Sequence, residues 1–209
     1  MIKLHNADCL EAMRLMDDNS FELAIVDPPY GIDWMEQIKN PNKEANWKKY
    51  QHKKWDNAIP DPEYFQELKR VSKNQIIWGG NYFLDYLGAT PCLVIWDKCQ
   101  EFSGAVFEVA WTSFDSPCKA FRKSRIESYG NPIGGKIHPT QKPVALYTWL
   151  LEKYAKKGDR ILDTHLGSGS IAIAAHNLGY DLTGYELDKD YYAAACKRLK
   201  NHQKQLRMF

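Results

Sequence analysis

The segment that decides the fold lies at positions 21–30 and reads FELAIVDPPY. Its first six residues are almost all apolar, which is typical of a strand buried on both faces of a parallel sheet. The last four residues bring an acidic side chain, a rigid turn and an aromatic ring to the carboxyl end of this strand. Open α/β sheets bind their ligands at that end. We therefore predict a ligand site formed by Asp27, Pro28, Pro29 and Tyr30.

The turn at residues 27–30 is suited to the exocyclic amino group of a nucleic-acid base. Two successive prolines fix φ and remove two backbone N–H donors. Their carbonyl oxygens therefore lie beside the Asp27 carboxylate, and neither proline has a backbone N–H that could donate a hydrogen bond to these acceptors in place of a ligand. An exocyclic amino group presents two N–H donors next to a π face, and this arrangement can accept both. For the tetrapeptide alone, a proline-rich turn without further function is an equally good interpretation.

A second predicted site follows a later strand. Residues 160–170 read RILDTHLGSGS, which predicts a strand ending at Asp163, a glycine loop and a helix. Glycines let the backbone approach a ligand closely, and a helix amino terminus favours negative charge. Glu186 ends the next predicted strand, where a carboxylate can bind both hydroxyls of a ribose. The third glycine of the dinucleotide fingerprint is absent, which favours a single adenosine with a zwitterionic tail, such as S-adenosylmethionine, over NAD or FAD.

Between these two sites the chain reads HPTQKP at 138–143, immediately before a predicted helix. The prolines hold the segment extended, and a helix amino terminus together with Lys142 suits a carboxylate ligand. The start of a helix bounded by prolines, without further function, is an equally good interpretation of this segment alone.

Strands alternate with helices along most of the chain. Strands are predicted at 2–4, 21–26, 75–78, 92–96, 105–114, 160–162 and 182–185, and helices at about 9–17, 61–71, 81–87, 143–156, 170–178 and from 188 onward. This order predicts an α/β fold, a doubly wound and mostly parallel sheet with helices on both faces. We expect a single domain over residues 1–209. Irregular segments at about 31–60 and 115–142 are long for a compact domain, and such loops are usually functional or disordered.

Composition narrows the class of protein. The chain has 209 residues, of which 44% are apolar, as in a soluble globular protein. No apolar run approaches the length of a membrane helix, and the first residues lack the apolar stretch of a signal peptide. The five cysteines include no Cys-x-x-Cys pair, which argues against a disulfide framework and a zinc knuckle. We expect a cytoplasmic protein without a metal site.

The basic residues are clustered, although the net charge is only +2. Six lysines and one acid lie between positions 39 and 54, with aromatic residues among them, and a patch at 119–125 contains no acid. Basic residues interleaved with aromatics suit a phosphate backbone and unstacked bases. A solvated charged loop is the simpler interpretation of either patch alone. The candidate nucleic-acid contacts are Trp47, Lys48, Lys49, Lys53, Lys54, Lys119, Arg122, Lys123 and Arg125.

Taken in order, these segments resemble the β-class DNA amino-methyltransferases, a family in which Asp-Pro-Pro-Tyr precedes the cofactor loop along the chain. The resemblance covers almost the whole sequence. The matching segments are NADCL at 6–10, DPPY at 27–30, WGGNYF at 78–83, HPTQKP at 138–143, LD at 162–163 with GSG at 167–169, and GYELD at 184–188. The resemblance implies a Rossmann-like methyltransferase fold with a circularly permuted motif order, and S-adenosyl-L-methionine as the cofactor.

The resemblance also implies roles for single residues in cofactor binding. Asp8 and Cys9 are expected near the adenine of the cofactor, and Glu186 at its ribose. The methionine end is expected to be surrounded by His138, Thr140, Lys142, Asp163, Gly167, Ser168 and Gly169. A plain helix N-cap for Asp8 and buried packing for Cys9 remain alternatives.

The chain departs from the family's usual pattern beside the glycine loop. The family usually has Pro-Phe after the loop aspartate and Thr at the end of the loop, where this chain has Thr164-His165 and Ser170. We expect Ser170 to cap the following helix, since serine is a good N-cap residue. His165 replaces the apolar contact of Phe with the cofactor, and we expect cofactor binding to be retained. The chain is also short for the family, which leaves little room for a separate target-recognition domain.

The resemblance implies methyl transfer to the amino nitrogen of a base flipped out of double-stranded DNA. Asp27 and the Pro28 carbonyl are expected to accept the two amino hydrogens, and Tyr30 to stack on the base. Aspartate at position 27 favours N6 of adenine, because the cytosine enzymes of the family often carry serine there. The N4 group of cytosine, an RNA amino group and a catalytically silent DNA-binding relative remain open. A homodimer and a companion restriction nuclease also remain open.

Two further classes of enzyme fit the sequence less well. A carbon-5 cytosine methyltransferase needs a Pro-Cys nucleophile, and the candidates are Cys92, inside an apolar strand, and Cys118, in a loop. A nicotinamide oxidoreductase is disfavoured by the missing glycine and leaves residues 27–30 without a function.

Overall fold

The computed structural model describes residues 1–33, 56–99, 105–124 and 137–205. Over these residues the strands form one sheet flanked by helices. The strands are β1 (Ile2–His5), β2 (Phe21–Val26), β3 (Ser72–Trp78), β4 (Leu93–Asp97), β5 (Phe107–Thr112), β6 (Lys119–Arg122), β7 (Arg160–Asp163) and β8 (Asp181–Tyr185). The helices are α1 (Cys9–Arg14), α2 (Pro62–Val71), α3 (Leu84–Leu87), α4 (Val144–Tyr154), α5 (Ser170–Leu178) and α6 (Lys189–Gln203), with a 3₁₀ turn at Gly80–Tyr82. None of the helices in these ranges has both the length and the apolar character needed to cross a membrane.

The sheet is mixed and mostly parallel, as predicted, with the strand order β1-β8-β7-β2-β3-β5-β4-β6. The first five strands in this order run parallel, β5 is antiparallel to both of its neighbours, and β6 is parallel to β4. The chain passes from β2 to β3 on one side and from β7 to β8 on the other, so the direction of winding reverses between β2 and β7. In open α/β sheets a ligand crevice forms at such a reversal, outside the carboxyl ends of the strands.

Alternate residues of β2 enter two separate hydrophobic cores. Leu23 and Ile25 pack with residues of α4, α5 and α6, whereas Ala24 and Val26 pack with residues of α1 and α2. Successive side chains of a strand point to opposite faces, so a strand that is apolar at nearly every position needs helices on both sides. The prediction of a doubly covered sheet is therefore confirmed.

The structure differs from the sequence prediction at one edge of the sheet. Residues 115–142 are predicted to be irregular, but Lys119–Arg122 form β6 and pair in parallel with β4. A four-residue segment reading KAFR is too short to show a periodic pattern, so only the neighbouring strand makes it extended. The helix predicted at 9–17 is also shorter than expected, since α1 ends at Arg14.

Candidate active site

Two acidic residues stand at the carboxyl ends of neighbouring parallel strands. Asp27 directly follows β2, and Asp163 ends β7. The register pairs Ala24 with Leu162, so both carboxyl groups lie at the same edge of the sheet, where the winding reverses. The charge of Asp27 contributes to the raised pKa of Asp163, so the two groups are within electrostatic reach. The two sites predicted from separate parts of the sequence therefore meet in one crevice.

Both oxygens of the Asp27 carboxylate accept hydrogen bonds from this chain. The Tyr30 hydroxyl donates to Oδ1 over 2.6 Å, and the Lys142 ammonium donates to Oδ2 over 2.5 Å. Lys142 also donates to the Tyr30 hydroxyl over 3.2 Å, which closes a triangle of three side chains. Burial, and then the charges of Asp27 and Glu108, hold the pKa of Tyr30 well above its ordinary value. Tyr30 is therefore a neutral donor to Asp27.

The Lys142 ammonium is shared between two carboxylates. Its Nζ atom also lies 3.2 Å from Glu108 Oε2, and only 2% of its side chain is exposed. Burial alone would lower the pKa of Lys142, but the charges of Asp27 and Glu108 outweigh burial and raise the pKa. Burial likewise favours a raised pKa for Glu108, but Lys142 and Lys98 outweigh it and bring this pKa to about 2. All of these contacts therefore join charged groups at neutral pH.

The family resemblance implies that Lys142 lies at the methionine end of the cofactor. In the structure its backbone lies on that side, because its carbonyl accepts a hydrogen bond from the Ser170 hydroxyl over 2.7 Å. Its ammonium, however, contacts Asp27, Tyr30 and Glu108. Lys142 thus connects the glycine loop with the Asp-Pro-Pro-Tyr turn, a contact that sequence reasoning did not anticipate.

The ring of Tyr30 is seated against the segment that follows β3. A Cβ atom on Gly79 would lie 2.2 Å from the Tyr30 ring, and Gly79 has a φ of +70°. Only glycine combines this backbone conformation with so close an approach. Tyr82 stacks on Tyr30, with ring centroids 5.0 Å apart and 14° between the planes, and is 43% exposed. The orientation of the Tyr30 ring is thus set by the chain itself.

Asp56 holds the turn that contains the two prolines. Its Oδ1 atom accepts hydrogen bonds from the backbone N–H groups of Tyr30, over 2.7 Å, and Gly31, over 3.1 Å. Asp56 is buried, and its carbonyl accepts a further bond from the Asp33 N–H. These two N–H groups come directly after the two prolines. Their hydrogen bonds to Asp56 therefore fix the direction in which the chain leaves the crevice.

The glycine loop between β7 and α5 is bound to the carboxylate that follows β8. Glu186 Oε2 accepts a hydrogen bond from the Gly167 N–H over 2.7 Å, and Oε1 accepts one from Asp188 over 2.9 Å. Gly167 and Gly169 have φ angles of +51° and +69°, a region that favours glycine. Glu186, which is expected to bind the ribose, therefore also positions the glycine loop, which is expected to lie at the methionine end of the cofactor.

Asp163 is a buried carboxyl group with a strongly raised pKa. Only 2% of the residue is exposed, and its Oδ1 atom accepts a hydrogen bond from the His165 N–H over 3.0 Å. Burial raises the pKa to about 8, and the charges of Asp27 and Glu186 add to this rise. Asp163 is thus mostly protonated at neutral pH, and a cationic ligand in the crevice would favour its ionised form.

The two residues that depart from the family's usual pattern form a small polar and aromatic group with Tyr64. Thr164 Oγ1 lies 2.7 Å from the Tyr64 hydroxyl and 2.9 Å from His165 Nδ1. The His165 ring meets the Tyr64 ring edge to face, with centroids 5.4 Å apart. Burial lowers the pKa of His165 to about 4, so this imidazole is neutral at pH 7. A neutral ring in an aromatic contact stands where the family usually has Phe.

The prediction that Ser170 caps α5 is wrong. Gly169 occupies the N-cap position, and no side chain caps the helix. The Ser170 hydroxyl instead donates to the Lys142 carbonyl, accepts a hydrogen bond from Arg198 over 2.9 Å and lies 3.1 Å from Ser168 Oγ. The serine therefore ties the segment at 138–143 to the glycine loop and to α6, because its position one residue inside the helix directs the hydroxyl sideways rather than along the axis.

His138 and Thr140 lie next to the glycine loop. The hydroxyl of Thr140 is 3.1 Å from His138 Nδ1, and a Cβ atom on Gly167 would lie 3.8 Å from the His138 ring. The ring also packs against Tyr191, with centroids 4.3 Å apart. Burial, together with the charge of Lys142, lowers the pKa of His138 to about 4. The structure thus brings this neutral imidazole and the loop together.

Asp8 and Cys9 lie at the amino terminus of α1. Asp8 Oδ1 accepts hydrogen bonds from the N–H groups of Leu10 and Glu11, over 2.7 and 3.2 Å, so Asp8 is the N-cap of this helix. Burial, and then the charge of Asp8, raises the pKa of the Cys9 thiol to about 12. Cys9 is therefore a protonated, partly buried thiol. The roles of both residues at the adenine of the cofactor stay predictions.

The candidate nucleic-acid contacts fall into two groups. Lys119 and Arg122 belong to β6, the edge strand, and Lys123 follows it. Arg122 Nε lies 3.1 Å from Asp97 Oδ2, and its side chain is 74% exposed. The remaining candidates lie outside the described residues, namely Trp47, Lys48, Lys49, Lys53, Lys54 and Arg125.

The thiols of the two Pro-Cys dipeptides differ in exposure, Cys92 being buried and Cys118 exposed. Cys92 Sγ lies 3.3 Å from Ser116 Oγ, and the residue is fully buried. Across the described ranges, no group of three or more His, Cys, Asp or Glu side chains is arranged to hold a metal ion.

Sequence reasoning missed three residues that shape the crevice, namely Asp56, Tyr64 and Glu108. Glu108 carried a usable signal, because it is a charged residue inside the otherwise apolar strand FEVAWT, and such a residue needs a partner of opposite charge when it is buried. Tyr64 carried only the signal of a core aromatic in a helix. Asp56 ends a long segment without a periodic pattern, and nothing in the sequence near it predicts its contact with Tyr30.

Comparison with known proteins shows that the chain is similar to DNA methylases. A family model described as "DNA methylase" and named for N6 and N4 methyltransferases matches residues 36–197. A segment of 63 residues, 30% of this chain, is 41% identical to the type II methyltransferase M2.DpnII of Streptococcus pneumoniae and covers 24% of that protein. The matched segment thus spans about a quarter of this curated relative's length.

Solved structures share the fold over nearly the whole chain. The M1.HpyAVI–SAM complex is similar with a TM-score of 0.63 and 20% identity, over 95% of this chain and 99% of that one. The PvuII DNA methyltransferase, which is cytosine-N4-specific, is similar with a TM-score of 0.64 and 15% identity, over 96% of this chain and 90% of that one. At these identities the likeness concerns the fold alone.

Proposed function

This chain belongs to the DNA methylase family of N6 and N4 methyltransferases, and from that premise we propose that it transfers a methyl group from S-adenosylmethionine to the N6 amino group of adenine in double-stranded DNA. The observation that carries this proposal is the position of Asp27. Its carboxylate stands at the carboxyl end of β2, directly beside the strand β7 that leads into the glycine loop. A group that accepts amino hydrogens and a loop that suits a nucleoside thus share one crevice.

The residues around the glycine loop fit S-adenosylmethionine. The loop backbone is held open by two glycines with positive φ, which allows close approach of a ligand. Glu186 stands at the end of β8, where a carboxylate can accept hydrogen bonds from ribose hydroxyls. The protonated carboxyl of Asp163 can ionise when a positively charged group enters. When bound, S-adenosylmethionine supplies an electrophilic methyl group on a sulfonium centre.

Asp27 would act by orientation rather than as a strong base. The lone pair of an aromatic amino group is delocalised into its ring, so methyl transfer needs that lone pair to be aimed at the methyl carbon. Asp27 and the Pro28 carbonyl, which accept the two amino hydrogens, would aim it. Asp27 would then receive the proton that the methylated amino group readily loses. The target base is inside a duplex, so it must be flipped into the crevice, where Tyr30 would stack on it.

Adenine is the preferred base because of the aspartate at position 27, and cytosine N4 is the second candidate. Both bases present an exocyclic amino group, and the fold is shared with the cytosine-N4-specific PvuII enzyme. We further propose that residues 1–209 act as one domain, with DNA contacts from the basic residues of β6 and of segment 31–60.

The experiment that tests this function is mass spectrometry of nucleosides from unmethylated duplex DNA incubated with the protein and methyl-labelled S-adenosylmethionine. Label in N6-methyldeoxyadenosine is the expected result. Label in N4-methyldeoxycytidine would keep the mechanism and change the base, and no labelled base in DNA would contradict the function. Asp27→Ala should lose at least about 100-fold in turnover, as for other positioned acid–base groups, with little change in cofactor affinity. The control is Asp85→Ala, which removes an exposed carboxylate on α3.

A further inference from the structure

A line of alternating charges leads away from the candidate active site. In order, its members are Asp27, Lys142, Glu108 and Lys98. The successive N–O distances are 2.5, 3.2 and 2.8 Å. The line starts at the carboxyl end of β2, crosses to Glu108 on β5 and ends at Lys98, directly after β4. The two carboxylates and the two ammonium groups cancel in charge.

The two cations of this line are enclosed by aromatic rings. The side chains of Lys142 and Lys98 are 2% and 8% exposed. The Lys142 ammonium lies 5.1 Å from the centre of the Trp78 ring, and the Lys98 ammonium lies 5.3 Å from that of Trp96. A buried ammonium that loses its carboxylate is strongly destabilised, since neither water nor another charge replaces the lost partner. Each cation therefore needs a carboxylate throughout the reaction.

Base binding would disturb this arrangement at Asp27. Tyr30 donates to one oxygen of Asp27, and Lys142 donates to the other. An amino group that donates to Asp27 competes with Lys142 for the same carboxylate. If Asp27 were the sole partner of Lys142, the arriving base would have to separate a buried ion pair. Glu108 removes this obstacle, because Lys142 already contacts this second carboxylate at the same time as Asp27.

This inference rests on the proposed function and adds residues to it. We infer that Glu108 is a positioning residue that shares Lys142 with Asp27, so that Lys142 transfers its hydrogen bond to Glu108 when the amino group of the base reaches Asp27. Lys98 keeps Glu108 ionised and in place. Glu108 itself does not touch the reacting atoms and acts through Lys142.

The charge of Lys142 makes this inference testable by pH. Groups facing Lys142 are Asp27 and Tyr30 after β2, Glu108 on β5, Asp163 at the end of β7 and His138 in its own segment. When the Glu108 charge is removed, Asp27 is, among the described residues, the one remaining carboxylate that pairs with Lys142, so kcat falls because Lys142 stays bound to Asp27. The pKa of Lys142 also falls, because one of its two anionic partners is gone. As pH then rises, Lys142 loses its charge and releases Asp27, so kcat recovers. Removing Lys98 has the opposite effect on the pKa of Lys142.

The test compares kcat between about pH 6 and pH 10 for the wild type, Glu108→Gln and Lys98→Gln, together with the affinity for S-adenosylmethionine. A third variant, Glu22→Gln, is the matched control. Glu22 is also paired with two cations, but it lies at the amino end of β2, at the other end of the strand from the crevice. For Glu108→Gln we expect kcat at pH 7 to fall at least about tenfold, the loss typical of a charged hydrogen bond, and to rise towards the wild-type value at high pH. Cofactor affinity should change less than about twofold, within the scatter expected for a group that does not touch the ligand.

Direct titration of the Lys142 ammonium by nitrogen-15 NMR separates this inference from the proposed function. The pKa of Lys142 should fall in Glu108→Gln and rise in Lys98→Gln. If Glu108→Gln does not fold, the shift of the Lys142 pKa in Lys98→Gln tests the inference by itself. Equal loss of kcat at every pH, or an unchanged kcat, would contradict the transfer from Asp27 to Glu108. If the wild type methylates no DNA, the proposed function is contradicted instead. If the pKa of Lys142 is also unchanged in both variants, the claim that Asp27 and Glu108 share the Lys142 ammonium is contradicted as well.

Discussion

The two ends of β2 carry ion pairs of the same chemical kind in very different surroundings. At the amino end, Glu22 pairs with Arg160 over 2.9 Å and with Lys73 over 3.4 Å, and both cations are 52% exposed. At the carboxyl end, Asp27 pairs with Lys142, which is 2% exposed. One group of charges joins neighbouring strands at the surface, and the other stands inside the ligand crevice.

The comparison shows that a shifted pKa alone does not identify a functional carboxylate. The pKa of Glu22 and that of Glu108 are both lowered to about 2. Hydrogen bonds from Arg160 are the main cause at Glu22, whereas at Glu108 the charges of Lys142 and Lys98 outweigh the effect of desolvation. Exposed pairs contribute about 0–1 kcal/mol, while breaking a buried pair costs about 3–5 kcal/mol. The enclosure of the partner cation therefore distinguishes the two ends of the strand.

The largest effect is expected from Lys142→Met, which keeps most of the length of the side chain and removes its charge. Asp27 and Glu108 would then face each other without a cation between them. We expect the free energy of unfolding to fall by about 3–5 kcal/mol, the cost of breaking a buried ion pair, and methyl transfer to be lost. Urea unfolding and the nucleoside assay measure the two effects. A loss below 1 kcal/mol, the range of exposed pairs, would mean that the two ends of β2 do not differ.

Gly79→Ala should have the second largest effect, because it pushes on Tyr30 rather than removing a charge. The added methyl group would lie 2.2 Å from the ring, and overpacking of this kind costs about 1–3 kcal/mol. We expect kcat to fall while cofactor affinity is retained. The matched control is Gly179→Ala, since Gly179 has φ +77° and ψ 22°, close to the +70° and 21° of Gly79, but no atom within 4 Å of the added carbon. Equal effects of both substitutions on kcat would show that backbone strain, not the Tyr30 ring, is responsible.

The raised pKa of Asp163 predicts a smaller effect that depends on pH. Below about pH 4, the ordinary pKa of an aspartate, Asp163 is protonated in the folded and the unfolded chain. Between there and its folded-state pKa of about 8, only the unfolded chain ionises. The contribution of Asp163 to stability is therefore lost as pH rises through this window. The buried His138 and His165, whose pKa values are lowered to about 4, act in the opposite direction below about pH 6.5.

The variant Asp163→Asn isolates this contribution, because it keeps the histidines and removes the titrating carboxyl group. The melting temperature of the wild type relative to that of Asp163→Asn should fall as pH rises from 6.5 to 8. Binding of S-adenosylmethionine, which carries positive charge, should oppose the fall in the wild type. A difference between the two proteins that does not change with pH would show that Asp163 is ionised throughout.

The smallest effect is expected from Glu22→Gln at the amino end of β2. Its partners are half exposed, so the loss should be about 0.2–1 kcal/mol, as in other exposed pairs. High salt should reduce the difference from the wild type further, because screening weakens exposed pairs. A salt-independent loss above this range would show that the surface pair is as important to the fold as the buried one.

Much of the fold follows from short stretches of sequence. The almost entirely apolar run before Asp27 predicts a strand covered on both faces, and the two cores on either side of β2 confirm it. The glycines of the loop at 167–169 predict positive φ, which the structure has at Gly167 and Gly169. The strand β6 was missed, since an edge strand of four residues depends on its neighbour rather than on its own pattern. The helix predicted at 170–178 has these bounds in the structure, but its N-cap is Gly169, so the capping role predicted for Ser170 was wrong.

The candidate site was predicted in part. The turn at 27–30, the glycine loop and Glu186 were all found from the types of residue that follow strands. Glu108 and Asp56 were not, because their importance comes from contacts with Lys142 and Tyr30 that no local pattern records. The contact between Glu108 and Lys142 forms only after β5 has been placed two strands away from β2.

The sequence by itself determined the features that depend on residues close together in the chain. These are the buried strands, the turns that need proline or glycine, and the acidic residues at the ends of strands. The tertiary structure alone decided which of these acids receive a cation. Asp27 and Lys142 are 115 positions apart, and their contact depends on the order and register of strands that the chain joins only after folding. The physical reason is that backbone conformation is governed by local sterics, whereas an ion pair depends on distance and burial, which exist only in the folded protein.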